Sequence, residues 1–291
     1  MNPARSADPG RPGGAIDLHL HTTVSDGRCT PRELVRRVAA AGVAVMAVTD
    51  HDTVAGVAEV QALATAAGML AIAGIEITAV DDHRDVHMLG YFLDPDDATL
   101  GQFLASQRAI RIARVQAIGE RLAALGMPVD LGPLLEDARR ETGRSIGRPK
   151  VARAMIDAGY VTDTREAFDR WLGRGCPAFI PRTGAPPEEV IAIVHASGGL
   201  VSLAHPGRTE IDDRIEALRH AGLDAIEVYH SDHDPAAVAR YAERARELEL
   251  LTTGGSDFHG DPAHGIEPGG AGLPRDEWER LFAARDRHAA R

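Results

Sequence analysis

The stretch Ala15-Ile16-Asp17-Leu18-His19-Leu20-His21 is an apolar run that ends in two histidines two positions apart. In a β-strand, successive side chains point to opposite faces, so residues i and i+2 share a face. The stretch therefore predicts a strand whose end presents two imidazoles side by side, a ready pair of metal ligands. Because a His-x-His pair also arises by chance, its weight depends on whether other strands end in the same way.

Five later segments repeat this design, an apolar run that ends in His, Asp or Glu. They are residues 44–51, 70–76, 85–89, 199–205 and 250–259. Amphipathic helical segments lie between the first of them, and such alternation predicts a parallel sheet with right-handed crossovers. An open doubly wound sheet and a barrel both fit the pattern. Polar endings on almost every strand favour a barrel, whose site gathers side chains from many strand ends.

The alternation stops in the middle of the chain, where the pattern is helical, and then resumes. We therefore predict an α/β fold of about seven strands with a helical insertion. The first residues are rich in Pro, Gly and Arg and lack the apolar segment of a signal peptide. The predicted parts are a disordered tail (1–14), a first barrel part (15–93), a helical cap insertion (94–187) and a second barrel part (188–291).

Composition restricts the class of protein. The hydrophobic fraction of 44% is typical of a soluble globular protein, and no stretch has the length of a membrane helix. Cys29 and Cys176 lie far apart, so we expect no disulfide framework, no membrane contact and a cytoplasmic location. The composition allows no inference of a stable protein partner.

The charge is unevenly distributed. The net charge of −11 argues against a protein that coats nucleic acid. Residues 97–186 nevertheless carry 14 basic and 10 acidic residues, a net of +4, which leaves −15 on the rest of the chain. A basic segment within an acidic chain indicates a local role in binding an anion, with chance clustering of solvated arginines as the alternative.

Nine candidate metal ligands lie at the predicted strand ends or in the turns that follow. They are His19, His21, Asp26, His51, Glu76, His87, His205, Asp257 and His259. Imidazoles and carboxylates without a cysteine suit Mn, Zn or Fe, and nine donors are too many for one ion. We expect two to three divalent ions, most simply Mn, which would clamp phosphoryl oxygens and activate a water. Each residue alone has a simpler interpretation, such as a turn for Asp26, but their shared placement favours a site.

The motifs resemble the PHP (polymerase and histidinol phosphatase) superfamily, and more closely its bacterial branch of nucleotide phosphatases and 5′→3′ exoribonucleases. The likeness runs from Ile16 to about His259. The resemblance implies a distorted (β/α)7 barrel with three divalent ions. It also implies that a metal-bound hydroxide attacks the phosphorus of a nucleoside 3′,5′-bisphosphate, a 5′-mononucleotide or a 5′-phosphorylated short RNA. The segments that carry it are residues 17–22, 25–27, 49–53, 74–76, 86–91, 204–208 and 255–259.

The resemblance implies roles for individual side chains. Glu76, His205 and Asp257 would be catalytic, with His205 or an adjacent group protonating the leaving alcohol. Glu76 would bridge two ions. The implied ligand sets are His19, His21, Glu76 and Asp257 for one ion, Glu76, His87 and His205 for a second, and Asp26, His51 and His259 for a third.

The insertion also follows the branch's pattern over residues 145–153 and 173–179, with two departures. Lys150, the only lysine of the chain, stands where relatives usually have His, and Cys176 stands where they usually have Lys. An ammonium acts as a point charge, whereas a guanidinium forks onto phosphate oxygens, so Lys150 would alter how a second phosphate is held. The substrate-binding candidates are Arg148, Lys150, Arg174 and Arg208 for phosphate and His230 for a base or ribose.

Three rival functions share some of these features. Histidinol-phosphate phosphatase has the same barrel but does not need a basic cap suited to a second phosphate. A non-catalytic PHP module should have lost some of the ligands, and here the set is complete. An amidohydrolase would need a carboxylated lysine in the barrel, whereas Lys150 lies in the insertion. The favoured substrate is a small nucleotide or a short RNA.

Overall fold

The computed structural model describes residues 14–82, 84–140, 143–209, 211–262 and 265–288. Within these residues seven strands form one sheet in chain order. The predicted tail lies outside the described residues apart from Gly14. The strands are β1 (Ala15–Asp17), β2 (Val43–Val48), β3 (Leu70–Asp81), β4 (Arg84–Tyr91), β5 (Leu200–Leu203), β6 (Ala225–His230) and β7 (Leu251–Gly255).

The direction of β4 differs from the prediction. The pairs β1–β2, β2–β3, β5–β6 and β6–β7 are parallel, as expected. However, β4 runs antiparallel to both β3 and β5, so the prediction of a wholly parallel sheet is wrong at this strand. The physical reason is the short connection between Asp81 and Arg84, since a parallel crossover needs a dozen or more residues.

Backbone hydrogen bonds link β7 and the residues after it to the segment that follows β1, at the opposite end of this strand order. Leu18 N donates to Gly254 O at 3.1 Å, and beyond the strand ends Asp257 N donates to His19 O at 2.9 Å. A Cβ on Gly255 would lie 2.3 Å from His19 N. Glycine therefore allows the close approach that brings the His19 and Asp257 segments together.

The helices that surround the sheet mostly match the predicted segments. Thr30 caps α1 with a full capping box, as its sequence predicts. Two helices, α8 and α11, were not predicted. The helices are α1 (Pro31–Ala40), α2 (Val57–Ala66), α3 (Ala98–Ala124), α4 (Gly132–Arg139), α5 (Arg148–Asp157), α6 (Thr164–Ala167), α7 (Pro187–Ala196), α8 (Pro206–Thr209), α9 (Ile215–His220), α10 (Pro235–Glu247) and α11 (Arg275–His288).

Helix α3 links the sheet to the inserted helices. Its first half places Leu100 and Leu104 in the core shared with the strands. Its second half places Val115 and Ile118 in a separate core that the helices between β4 and β5 form. At 27 residues the helix is about 40 Å long, enough to reach both cores. The boundaries proposed for the barrel parts (15–93, 188–291) and the cap insertion (94–187) stay predictions.

Among the described residues, no helix combines the length and the apolar character needed to cross a bilayer.

Candidate metal centre

The nine candidate ligands meet at one end of the sheet. This end is formed by the carboxyl ends of the parallel strands and by the start of β4, which runs the other way. His87 therefore joins the group from the first half of its strand, and Glu76 from the middle of the long strand β3. Most of the nine side chains are buried, although they are polar or charged. Buried charges need a partner or a metal ion, so this is not an ordinary core.

Glu76 is the centre of this cluster. Its Oε1 lies 2.7 Å from His87 Nδ1 and 3.1 Å from His205 Nε2. Its Oε2 lies 3.3 Å from His19 Nε2, 3.2 Å from His21 Nε2 and 3.1 Å from His51 Nδ1. The two oxygens thus face two different sets of imidazoles, the arrangement expected of a carboxylate between two ions.

Two further carboxylates bind the remaining imidazoles together. Asp257 Oδ1 lies 3.3 Å from His19 Nε2 and 3.2 Å from His21 Nε2. Asp26 Oδ1 lies 3.3 Å from His259 Nε2, and Asp26 Oδ2 lies 3.5 Å from His51 Nε2. Asp26 therefore contacts imidazoles from two segments, and Asp257 contacts both imidazoles of the segment that follows β1.

The donor atoms fit divalent ions. The described residues contain four groups of possible ligands. Within each group, the ligand atoms lie within 4.8 Å of one another. Several of these buried atoms, including His21 Nε2 and Glu76 Oε2, have no hydrogen-bond partner among the described residues, although a carboxylate or imidazole faces them. Buried polar atoms normally have partners, and a metal ion would supply them here. The four groups are His21, Asp26, His51 and His259; His19, His21, Glu76 and Asp257; His51, Glu76 and His87; and His19, Glu227 and His230.

Glu227, which the sequence did not single out as a ligand, contacts two of the ligand candidates, His19 and His205. It is buried, its Oε1 lies 2.9 Å from His19 Nδ1, and its Oε2 accepts a 2.8 Å hydrogen bond from His205 N. A carboxylate on the far nitrogen of an imidazole orients the ring and raises its basicity toward a metal. Its place in β6, a strand that ends in His230, was the available signal, but position alone did not separate a supporting carboxylate from a ligand.

The ionisation of the cluster follows from burial and from the close opposite charges. Burial alone would raise the pKa of Glu76, but the imidazoles of His51, His87 and His19 hold it well below its usual range. Burial lowers the pKa of His205 to about 4. For His21, hydrogen bonds to Asp257 and Glu76 outweigh burial and raise the pKa to about 10. Divalent ions compete with such protons, so metal binding to this cluster is coupled to proton release.

Two of the ligand candidates have an uncommon backbone conformation. His205 has a φ of 26° and Asp257 a φ of 54°. A positive φ costs a residue with a Cβ on the order of 1–3 kcal/mol. Such a conformation persists where the surrounding structure holds the backbone in place, often at functional sites. The turns after β5 and β7 are therefore held in conformations that aim these two side chains at the centre.

A cavity of about 210 Å³ opens directly on the cluster. We call it the inner chamber. Besides the cluster, arginines from the inserted helices and the segment after them line it. Apolar side chains of α3, Val115 and Ile118, form part of its wall. Its main arginines are Arg111, Arg114, Arg148 and Arg182.

Among the residues that the structure describes, these arginines share only two carboxylates. Asp52 accepts hydrogen bonds from Arg111 Nε and, at 2.8 Å, from Arg182. Asp85 Oδ2 lies 3.0 Å from Arg148 and 3.3 Å from Arg114. Arg182 Nε and one terminal nitrogen of Arg114 are buried and have no hydrogen-bond partner among the described residues. The chamber thus combines excess positive charge with unused donors, as an anion-binding site does.

A second cavity of about 460 Å³ adjoins the first. We call it the outer chamber. It shares with the inner chamber three residues of the cluster, Asp26, Asp257 and His259. The other residues that line both are Pro149, Phe168 and Arg208.

The substrate-binding candidates are not all placed at these cavities. Arg148 lines the inner chamber and Arg208 lines both. Lys150 instead donates to Ser145 O at 3.4 Å, and Arg174 is exposed. His230 is buried behind the centre, with Nε2 3.5 Å from Asp257 Oδ2. Among the described residues, Lys150, Arg174 and His230 line neither chamber, so their predicted contacts with substrate stay predictions.

The sequence analysis missed Arg111, Arg114 and Arg182. A signal for one of them existed, because Arg111 falls on the buried stripe of α3 between Leu104 and Val115. A charged residue at a core position of an amphipathic helix points to a buried partner. Arg182 carried no comparable signal, since it lies outside any regular element.

This geometry agrees with what comparison to known proteins finds. The PHP domain model matches residues 17–141. The 5'-3' exoribonuclease Rnm of Escherichia coli (strain K12) is 35% identical over 261 residues, which cover 87% of this chain and 87% of that protein. The chain belongs to the PHP domain family.

Two other similar proteins extend the comparison of this PHP protein. The 3',5'-nucleoside bisphosphate phosphatase of Chromobacterium violaceum is 33% identical over 87% of this chain and 90% of its own. A crystal structure from Bifidobacterium adolescentis, of a protein proposed to be a metal-dependent phosphoesterase, has a TM-score of 0.84 at 33% identity. It covers 94% of this chain and 96% of its own. The α/β fold and the family identified from the motifs are therefore confirmed.

Proposed function

We propose that this PHP protein is a metal-dependent phosphoesterase that hydrolyses phosphate esters of nucleotides. The substrate would be a nucleoside 3′,5′-bisphosphate, a 5′-mononucleotide or a 5′-phosphorylated short RNA. The observation that carries the proposal is Glu76, whose two oxygens face separate sets of imidazoles beside a chamber lined by arginines. The likeness to an exoribonuclease and to a nucleoside bisphosphate phosphatase supports the substrate class.

The cluster would hold two to three divalent ions, with Mn our first choice. His19, His21, Glu76 and Asp257 would hold one, and Asp26, His51 and His259 another. Glu76 with His87 and His205 would hold a further ion. When bound, such ions neutralise phosphoryl oxygens and make a water acidic enough to attack at neutral pH.

The protein's own cationic side chains would position the substrate. Arg208 Nη1 lies 3.1 Å from Asp257 Oδ2 and lines both chambers, so its guanidinium can contact the phosphoryl group that is cleaved. Arg111, Arg114, Arg148 and Arg182 would bind a second phosphate of the same substrate in the inner chamber. This second site favours a nucleotide with two phosphates over histidinol phosphate, which has one.

The test is a panel of phosphate-release and product assays with Mn. The panel contains histidinol phosphate, AMP, adenosine 3′,5′-bisphosphate and a 5′-phosphorylated RNA. We expect the highest kcat/KM for the bisphosphate or the RNA. Fastest turnover of histidinol phosphate would contradict the substrate class, and absence of any turnover would contradict catalysis itself.

A matched pair of variants tests the role of the cluster. Glu76→Gln keeps the size of the side chain but removes its charge, and it should lower both bound metal and activity. Glu243→Gln makes the same change on the exposed face of α10, where Glu243 pairs with Arg246, and it should change neither. Equal metal content in all three proteins would contradict the assignment of Glu76 as a ligand.

A further inference from the structure

We infer that Asp17 is a positioning residue, whose buried carboxylate holds the segments of His19 and Asp257 at the separation that a shared ion requires. The inference rests on the proposed function, because His19 and Asp257 are candidate ligands of the same ion. Asp17 is the last residue of β1, is buried and lines neither chamber. It also belongs to none of the four ligand groups, so its burial needs another explanation.

The Asp17 carboxylate joins three segments of the chain through four hydrogen bonds. Its Oδ1 accepts from His19 N at 3.3 Å and from Ser256 N at 2.9 Å. Its Oδ2 accepts from Ser256 Oγ at 2.6 Å and from Gly269 N at 2.7 Å. One side chain therefore holds the backbone of His19 and the backbone of the residue immediately before Asp257.

Only a carboxylate satisfies this set of donors. Three of them are backbone N–H groups, which cannot act as acceptors, and each oxygen of Asp17 faces at least one of them. An asparagine in this place would turn its NH2 group toward a backbone N–H in either orientation of the amide. The surrounding backbone therefore requires a negatively charged side chain here.

The stability of the fold does not explain this charge. A buried charge is costly unless it is paired, and the hydrogen-bond partners of Asp17 among the described residues are all uncharged. Buried N–H groups are usually satisfied by neutral carbonyl oxygens, which bring no charge into the core. The use of a carboxylate two residues before a ligand candidate points to a role at the metal centre.

The segments that Asp17 joins meet at the centre itself. Asp257 Oδ1 lies 3.3 Å from His19 Nε2, across the junction that Asp17 bridges. Asp257 has a φ of 54°, which residues with a Cβ rarely adopt, and Asp17 holds its neighbour Ser256 by two atoms. Metal sites keep their ligand distances within about 0.2 Å. A small shift of either segment should therefore weaken ion binding.

Two variants loosen this junction, and a third is their control. Asp17→Asn keeps the shape of the side chain and turns one set of contacts unfavourable. Ser256→Ala removes the hydroxyl that donates to Asp17 and leaves every charge in place, so it separates positioning from the electrostatic effect of the carboxylate. The matched control is Ser202→Ala. Ser202 is also buried, and its 2.8 Å hydrogen bond to Thr253 involves neither Asp17 nor a ligand candidate.

The experiment measures Mn affinity, separately from turnover. The full-length protein is freed of metal with a chelator and titrated with Mn in a calorimeter. Asp17→Asn should lower the affinity for at least one ion about tenfold to hundredfold, the range found for residues that support metal ligands. Ser256→Ala should lower it by a smaller factor, and Ser202→Ala should match the wild type. Thermal unfolding without metal should give similar losses for the two serine variants, since each loses one buried hydrogen bond.

Phosphate release from adenosine 3′,5′-bisphosphate gives a second readout. The Mn concentration for half-maximal activity should rise in Asp17→Asn by the same factor as the Kd for Mn. The kcat of this variant should recover toward the wild-type value as Mn saturates the site. A reduced kcat at saturating Mn, with an unchanged Mn requirement, would contradict a positioning role.

Two binding results would also overturn the inference. They are an unchanged Mn affinity in folded Asp17→Asn, and the same Mn affinity in Ser256→Ala and Ser202→Ala. The comparison of the two serine variants decides the question by itself if Asp17→Asn does not fold. The proposed function fails in a different way, when the wild type binds Mn but hydrolyses no substrate of the panel. The two failures are therefore distinguishable.

Discussion

Asp52 should contribute more to the stability of this protein than any exposed acidic residue. It is buried at the junction between the barrel and α3, immediately after the ligand candidate His51. Its Oδ2 accepts from Arg111 and Arg182, and its Oδ1 accepts from Thr78 N at 2.9 Å. Asp52→Asn keeps the shape of the side chain but leaves two buried guanidiniums without a carboxylate.

The expected loss is large because both arginines are buried with Asp52. Removing one partner of a buried ion pair costs about 3–5 kcal/mol, mostly through the charge left behind. Asparagine leaves no cavity, so no packing loss adds to this figure. The matched control is Asp137→Asn, whose pair with Arg144 at 3.3 Å is exposed and should be worth at most about 1 kcal/mol.

Urea unfolding at pH 7 measures the difference. We expect Asp52→Asn to lower the transition midpoint at an unchanged denaturant slope and to lose several times the free energy of unfolding that Asp137→Asn loses. A loss for Asp52→Asn within 1 kcal/mol of the control would refute the argument. It would mean that the insertion is attached mainly by apolar packing.

The pH dependence has a definite sign. Burial would raise the pKa of Asp52, but Arg111 and Arg182 outweigh burial and hold it well below its usual value. The stabilisation is therefore complete above the pKa of the unfolded chain, about 3.9, and is lost as pH falls toward the lower folded value. The difference between wild type and Asp52→Asn should be constant from pH 5 to 8 and shrink only below about pH 4.

Three further predictions concern the site. In steady-state assays with Mn, His230→Gln should lower kcat/KM roughly tenfold to hundredfold, the loss typical of a residue that supports a ligand. Glu76→Gln should lower it by more than that. Arg148→Ala should raise KM for a nucleoside bisphosphate about tenfold to hundredfold. Lys150→Ala, outside the chambers, should change this KM less than about twofold. The reverse order would restore Lys150 as the phosphate ligand. Mn at about 100 times its Kd should stabilise the wild type by about 2.7 kcal/mol for each ion bound, measured in thermal unfolding, and Glu76→Gln should show a smaller gain.

The sequence predicted which segments supply the ligand candidates, because an apolar run followed by polar residues is a local feature, but β1 already ends at Asp17 and β3 continues past Glu76 to Asp81. His19 and His21 share a face through the two-residue period of a strand, and that relation does not depend on the rest of the fold. The direction of β4 was not predictable in this way, because a buried apolar run has the same pattern in either direction. Only the short turn between Asp81 and Arg84 contained the relevant signal.

The inner chamber shows a second limit of prediction from the sequence. Arg111 and Arg182 lie 71 residues apart in the sequence and meet on Asp52, so their relation exists only in the folded chain. Lys150 drew attention because it is the only lysine, yet its ammonium bonds to a carbonyl within its own segment. Rarity in composition identified an unusual residue but not one that lines a chamber.

Because α3 belongs to two cores, the number of residues between Leu104 and Val115 fixes the orientation of the inserted helices relative to the centre. One extra residue there would turn everything after it by about 100° and advance it by about 1.5 Å, which would remove Arg111 from Asp52. The connection from α3 to α4, at residues 125–131, also places Met127 and Leu131 in the second core. The lining of the inner chamber can therefore change by substitution, whereas the number of residues between Leu104 and Val115 has to stay constant.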